Sequence, residues 1–166
     1  MKLLYLLFLR LFILTNCSEL TDTCGRDDFC CEVNGKKWWP STRGGFKATS
    51  SLQSAMNSDG KFLTIQAHNG TSAVLLGIRD SASIKVGMYT LNGKLPGKAS
   101  YSSGAGPGNS FSTDSLHTGI VTITQSDRNK SIHVVAGTFS FKAQNPATGE
   151  VVDVAKGTFR TEYIRY

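Results

Sequence analysis

Cys17 carries the most specific chemistry in this 166-residue chain. It closes the tetrapeptide Leu14-Thr15-Asn16-Cys17, directly after a short apolar N-terminus. A thiol in that position takes a diacylglycerol group as a thioether, and a peptidase then cuts on its amino side. Residues 1–16 therefore read as a signal peptide. Lys2 supplies the charged start, and Leu3 to Leu9 with Leu11 to Leu14 supply the apolar stretch. Arg10 interrupts the run, and Asn16 stands where a small residue normally fits. The run falls short of the roughly 20 apolar residues that a membrane-spanning helix needs. The competing reading is an ordinary cleaved leader with Cys17 unmodified.

Three further cysteines follow, at Cys24, Cys30 and Cys31. An oxidising envelope allows one disulfide among them and leaves one thiol. Cys24 bonded to Cys30 or to Cys31 pins the intervening segment to the start of the folded domain. The spacing does not match the paired cysteines of a zinc site, so no metal is expected. If Asn34-Gly35 makes a two-residue hairpin turn, period-2 pleating puts Cys31, Val33 and Trp38 on one face. Cys30 then points the other way, toward the tether, which favours Cys24 with Cys30.

Catalytic chemistry finds little to build on. A hydrolase needs a nucleophile, a base and an orienting acid. Serines abound, but the chain has no Gly-x-Ser-x-Gly elbow. The histidines are His68, His117 and His133, with no metal-type pairing. Asp80, Asp114, Asp127 and Glu150 fall in expected loops, and a glycosidase would need two of them face to face. Asp27-Asp28 lacks a calcium-loop pattern. The glycines around Gly104-Ala105-Gly106-Pro107-Gly108 lack the strand, the lysine and the helix of a phosphate loop. The reading is a protein without catalytic residues and without a cofactor.

Aromatic side chains make the best binding candidates. Trp39 falls opposite the face that carries Trp38, so its indole is offered to solvent, where it can stack on a sugar or pack on a partner. Tyr101, flanked by serines and glycines beside an expected mobile loop at 102–110, is the second candidate platform. The alternative for Trp39 is cover from a second core layer or from the loop at 40–45.

These residues must be held by a scaffold, and its pattern is β. Turn signals at Asn34-Gly35, Asp59-Gly60, Asn69-Gly70 and Asn92-Gly93 separate short apolar runs. Strands are expected around Cys30 to Trp39, Lys61 to Ala67, Ala73 to Ile78, Met88 to Leu91, Ile120 to Thr124, Ile132 to Ala143 and Val151 to Tyr163. Val121 and Ile123 should face inward, and so should Phe139, Phe141 and Phe159. Glu32 should lie opposite Lys37 across the first hairpin. No window shows a helical period. The expected fold is an antiparallel β-sandwich, with a closed or flattened barrel as the alternative. Gly137-Thr138-Phe139 recurs as Gly157-Thr158-Phe159, an echo between paired strands. Residues 17–29 read as a lipidated tether and 30–166 as one β domain. The chain has 18 basic and 12 acidic residues, and loss of Lys2 and Arg10 with the leader lowers its net charge from +6 to +4. That charge is spread out, with no basic-aromatic motif, so no nucleic-acid partner is expected.

The order of these pieces resembles a family of Bacteroidetes-type lipoprotein domains. The pieces are Val33-Asn34-Gly35-Lys36 with Trp38, Gly87-Met88-Tyr89-Thr90-Leu91, Gly119-Ile120-Val121-Thr122-Ile123-Thr124, Gly137-Thr138-Phe139-Ser140-Phe141-Lys142-Ala143 and Gly157-Thr158-Phe159. Cys30-Cys31 and the Trp38-Trp39 doublet stand apart from that pattern. The resemblance implies an anchored β domain and brings no catalytic residues. The acidic start Ser18-Glu19-Leu20-Thr21-Asp22 is similar to the surface-export signal of such lipoproteins. Asp80-Ser81-Ala82 and Asp114-Ser115-Leu116 resemble their O-glycosylation acceptors. The expectation is a protein lipid-anchored at Cys17 in the outer membrane or at the cell surface, with a periplasm-facing position as the alternative. Its domain would bind a glycan or an envelope protein, or serve a structural role with no small ligand.

Overall fold

The computed structural model describes residues 28–41, 51–94, 97–104, 106–127 and 133–166. The expected leader, Cys17, Cys24 and most of the tether lie outside these residues. Within them the chain forms strands β1 (Phe29–Val33), β2 (Lys36–Trp38), β3 (Leu52–Met56), β4 (Phe62–His68), β5 (Ala73–Arg79) and β6 (Gly87–Leu91). It continues with β7 (Gly97–Ser102), β8 (Ser110–Ser112), β9 (Gly119–Asp127), β10 (Val134–Gln144), β11 (Val151–Glu162) and β12 (Ile164–Arg165). A single 3-10 turn, Pro107–Asn109, precedes β8. The stretch expected as one mobile loop thus contains this turn and borders two strands. No helix among the described residues is long and apolar enough to cross a membrane.

The strands hydrogen-bond in the order β12-β3-β4-β5-β7-β8-β10-β11-β1-β2, and β9 joins β6 to the long flank of β10. This path is open at both ends, so the sheet is not a closed barrel. It folds over on itself. Leu63, Ile65, Val74, Leu76 and Ile78 from its first half share one core cluster with Val121, Ile123, Val135, Phe139, Val154 and Phe159 from its second half. The result is sandwich-like and all-β. One pairing departs from the antiparallel expectation: β12 runs parallel to β3, with Ile164 beside Ala55. The chain reaches β3 directly from the end of β11, where Ser54 donates its hydroxyl to the Glu162 carbonyl at 2.6 Å.

The first hairpin forms as its residues dictate. Asn34 and Gly35 take φ values of 49° and 75°, the two positive angles a type I′ turn requires. Cys31 then lies opposite Trp38 and Glu32 opposite Lys37. The Glu32 carboxylate also meets Lys156 of β11 at 3.0 Å, so its charge is shared with a strand on the other side. The Asn34 side chain accepts from the Asp153 backbone N–H at 2.9 Å and docks the turn onto β11.

β11 poses a parity problem. Val152 and Val154 are buried, and so is Phe159, although strict alternation puts even and odd positions on opposite faces. A bulge resolves it. Lys156 adopts φ 51°, and the pairing with β10 shifts register between Phe139 and Phe141. The extra residue flips the phase, so both halves of the strand feed the core. Beyond the bulge the repeated tripeptide finds its purpose. Gly137 lies opposite Phe159, Thr138 opposite Thr158, and Phe139 opposite Gly157. Each ring covers the bare backbone of the partner glycine. A Cβ on Gly157 would come within 2.5 Å of the Phe139 ring, and one on Gly137 within 2.2 Å of the Thr122 carbonyl oxygen. The echo is a reciprocal lock between two central strands. Phe29 from β1 packs its ring 5.1 Å from that of Phe139 and extends the lock to a third strand.

Candidate functional site

The Trp38-Trp39 doublet marks the place where the chain leaves β2 and crosses to the other half of the sheet. Trp38 is 7% exposed and Trp39 is 51% exposed. Trp38 points inward with Cys31, and its ring meets Phe29 edge-on at 5.9 Å. Its indole N–H donates to the Ser72 hydroxyl at 2.7 Å, which satisfies the one polar group of a ring that is otherwise buried. The next residues run beside the end of β4. The Ser41 backbone N–H donates to the His68 carbonyl at 3.2 Å, and its hydroxyl reaches the Asn69 carbonyl at 3.4 Å. The chain two residues beyond Trp39 therefore runs beside the turn that joins β4 to β5.

That turn is organised by one side chain. Asn69 Oδ1 accepts from the Thr71 and Ser72 backbone N–H groups at 3.2 and 2.8 Å, and from both hydroxyls at 3.0 Å. Gly70 takes φ 85° to let the chain turn around it. The residues of the turn and of the passing chain, Pro40, Ser41, Asn69, Gly70, Thr71 and Ser72, are small and uncharged, whereas Lys37 shares the strand face of Trp39.

Tyr101 lies elsewhere in character. It belongs to β7, opposite Val74 on one side and Phe111 on the other. Its ring is half-buried, packs against the core and stands 6.1 Å from that of Phe111. The expectation of a free ring beside a mobile loop is revised, because Val74 points inward and pleating turns its cross-strand partner the same way. Trp39 is the exposed ring of the two.

Cys30 is disulfide-bonded, with its partner outside the described residues, and Cys31 is a free buried thiol. The Thr158 hydroxyl donates to Cys30 Sγ at 3.4 Å. Burial, aided by the neighbouring Glu32 charge, pushes the Cys31 thiol up to about 12.

Apart from one Asp–His pair, the carboxylates and histidines among the described residues are spread over the fold. Asp127 pairs with Val134 at one end of β10, whereas Glu150 lies beyond Gln144 at the other. Ten residues of strand separate those ends by roughly 33 Å. His133 immediately precedes β10 and stacks on Tyr163, His68 ends β4, and His117 lies in the loop before β9. Among the described residues no group of three or more metal-capable side chains occurs. Asp28 is exposed, and its carbonyl accepts from Arg160 in the ladder.

One pair was missed in the sequence. His117 Nδ1 lies 3.0 Å from Asp114 Oδ2. The His117 backbone N–H, then its ring, then the Leu116 N–H hold the Asp114 carboxyl below its usual range. The Asp-x-x-His spacing in a loop was the available signal. The two Asp-Ser tripeptides share a local shape. Asp80 Oδ1 accepts from the Ala82 N–H at 3.1 Å and Asp114 Oδ1 from the Leu116 N–H at 2.7 Å, with Ser81 and Ser115 exposed between.

Fold and site define a sandwich-like all-β domain with an exposed indole at the end of its first hairpin. Residues 43–161 match the family described as Domain of unknown function (DUF6252), and the chain belongs to that family. The matched stretch runs from before β3 into β11 and leaves out β1 and β2, the hairpin that carries the tryptophans. No curated protein and no solved structure matches the chain.

Proposed function

We propose that this protein is a lipid-anchored component of a cell envelope whose β domain is a non-catalytic binding module for a glycan or a partner protein. The observation that carries the reading is the half-exposed Trp39 indole. Exposing a ring of that size is costly unless something covers it part of the time. Its neighbour Trp38 already supplies the packing, so Trp39 is not required for the core. The anchor part rests on Cys17 and the apolar residues before it, and on the resemblance to Bacteroidetes-type lipoprotein domains. In this reading the membrane is met through the lipid at Cys17, and the domain faces outward from the outer membrane.

The interior supports an outside site. Leu63, Ile65, Leu76, Ile78, Val121 and Ile123 are fully buried between the two halves of the sheet. In this reading the ligand meets a surface or an edge. The same filled core favours the second reading, a structural envelope lipoprotein with no small ligand. Paired substitutions separate the two. Trp39→Ala should abolish binding on an array of glycans and leave the melting temperature within about 2 °C of the parent. Trp38→Ala should cost about 3–5 kcal/mol of stability. An array that returns no glycan for the parent, together with no envelope protein crosslinked at position 39, hands the account to the structural reading.

A further inference from the structure

We infer that β6 is a pairing edge for a second copy of this chain, with the two β6 strands running antiparallel about a two-fold axis at Met88. This goes beyond the Trp39 reading and uses none of its residues.

β6 pairs with β9 alone. The neighbouring ladder shows which of its backbone groups stay unused. The Lys142 N–H donates to the Thr118 carbonyl at 3.0 Å. The even positions at the start of β9 therefore turn their N–H and C=O groups toward β10, and Gly119, Val121 and Ile123 turn theirs toward β6. Their partners on β6 are Leu91, Tyr89 and Gly87. Met88 and Thr90 thus point their backbone groups away from β9. Asn92, next in that series, spends its outward N–H on the Gly97 carbonyl at 3.1 Å. Gly97 also packs so close to the Thr90 carbonyl that a Cβ there would clash with it. What remains open among the described residues is the N–H and C=O of Met88 and the N–H of Thr90.

Sheet edges are ordinarily blunted by charge, proline or brevity. The two ends of the strand path obey that rule. β2 is three residues long with two lysines and is followed by Pro40, and β12 is two residues long and carries Arg165. β6 reads Gly-Met-Tyr-Thr-Leu, with neither charge nor proline. On its outer face Met88 is exposed, and exposed Ile120 of β9 lies diagonally across from it. A second copy fits because one residue carries both a donor and an acceptor. Met88 of each copy gives its N–H to the carbonyl of the other, and one two-fold operator satisfies both. The same operator sets Met88 beside Met88, so the two apolar patches join. Charge agrees with the antiparallel direction. Lys85 precedes β6, and Asp114, already paired with His117, lies beside Gly93 just past its end. Antiparallel pairing carries the Lys85 end of each strand to the Asp114 end of the other. Lys94 lies at that end too, and Asp114 offsets its charge there. A parallel approach would set Lys85 against Lys85 and would not close.

The test uses the full chain with Cys17→Ser, so that lipid plays no part in association. Sedimentation equilibrium between about 1 and 100 μM should show a monomer–dimer equilibrium. Met88→Pro removes the outward N–H and leaves the β9 ladder intact, and Met88→Lys sets two like charges on the axis. Each should raise the dimer dissociation constant at least about tenfold and keep the parent's melting profile. Oxidation of Met88→Cys should give a dimer linked 88 to 88, because the Cα atoms of such a pair lie about 5.5 Å apart. Ser140→Cys, exposed on the same face two strands further in, should not link. If Met88→Pro does not fold, Met88→Lys and the crosslink decide. A parent that stays monomeric throughout that range overturns the inference, and so does an open series of larger oligomers. Met88 variants that dimerise as tightly as the parent, or a crosslink that forms equally well at position 140, also overturn it.

Discussion

The reciprocal lock between β10 and β11 gives the sharpest quantitative expectation. In Gly157→Ala the new methyl falls 2.5 Å from Cε1 and Cζ of Phe139 and 2.6 Å from Cδ1. Carbon contacts settle near 3.5–4.0 Å, so the overlap is about 1 Å. The ring cannot swing aside, because Phe29, Phe141 and Phe159 stand 5.1, 6.4 and 6.3 Å away and Phe139 is 3% exposed. Overpacking of this kind costs about 1–3 kcal/mol, and the pinned ring places it near 2–3 kcal/mol. Phe139→Ala alone should cost about 3–5 kcal/mol. In the double variant the methyl of residue 157 enters space the ring has vacated, so adding it costs little. The cycle should then show a coupling of about 2–3 kcal/mol. The mirror pair behaves differently. A methyl at position 137 meets the Thr122 carbonyl oxygen at 2.2 Å before it meets Phe159 at 2.8 Å. Trimming Phe159 leaves that backbone clash in place, so Gly137→Ala should cost nearly as much in a Phe159→Ala background as alone. Equilibrium urea unfolding with matched m-values measures both cycles. Additivity within about 0.5 kcal/mol at the 157/139 pair refutes the lock. So would equal coupling in the two cycles.

Three further outcomes follow from the cysteines. Expressed in a host that lipidates envelope proteins, the protein should incorporate labelled fatty acid, and Cys17→Ser should lose the label and become soluble; unchanged labelling refutes the anchor. Non-reducing peptide mapping should find Cys30 joined to Cys24, whereas a Cys24–Cys31 bridge would contradict the register of the first hairpin. Cys31 should resist iodoacetamide in the native protein and react on unfolding. Its folded pKa of about 12 exceeds the ordinary 9.0, so the unfolded chain loses its proton first. Stability should therefore fall as pH rises between those values, and a Cys31→Ala variant should lack that component.

Much of the scaffold was legible because its signals are local. Asn34-Gly35 fixes a turn through two positive φ angles, and that turn alone sets Cys31 and Trp38 inward with Trp39 left over. Phe139, Phe141, Val121 and Ile123 alternate without interruption, and their inward faces follow from pleating. Other parts were hidden for physical reasons. β3 reads Leu52-Gln53-Ser54-Ala55-Met56, too polar and too small in side chain to announce a strand; it is held by pairing with β4 and by Ser54 bonding to Glu162. Tyr101 looked like a loop residue because β7 is built from lysine, alanine and serine, and only its pairing with Val74 and Phe111 turns the ring inward. The bulge at Lys156 breaks the alternation that sequence reading relies on, and nothing local marks it apart from the mismatch between Val154 and Phe159. The Asn69 amide was invisible for another reason. Its orientation depends on Ser72 and on Trp38, more than thirty residues distant in sequence.

The central claim is that Trp39 is an open platform that a ligand covers, and one fluorescence measurement meets it directly. In a Trp38→Phe background the only indole is at position 39. The account predicts red-shifted emission, efficient quenching by acrylamide, and a blue shift with protection from the quencher when the ligand binds. Blue emission that acrylamide does not reach, or an emission that stays unchanged under every glycan and envelope fraction that the protein retains, would contradict it.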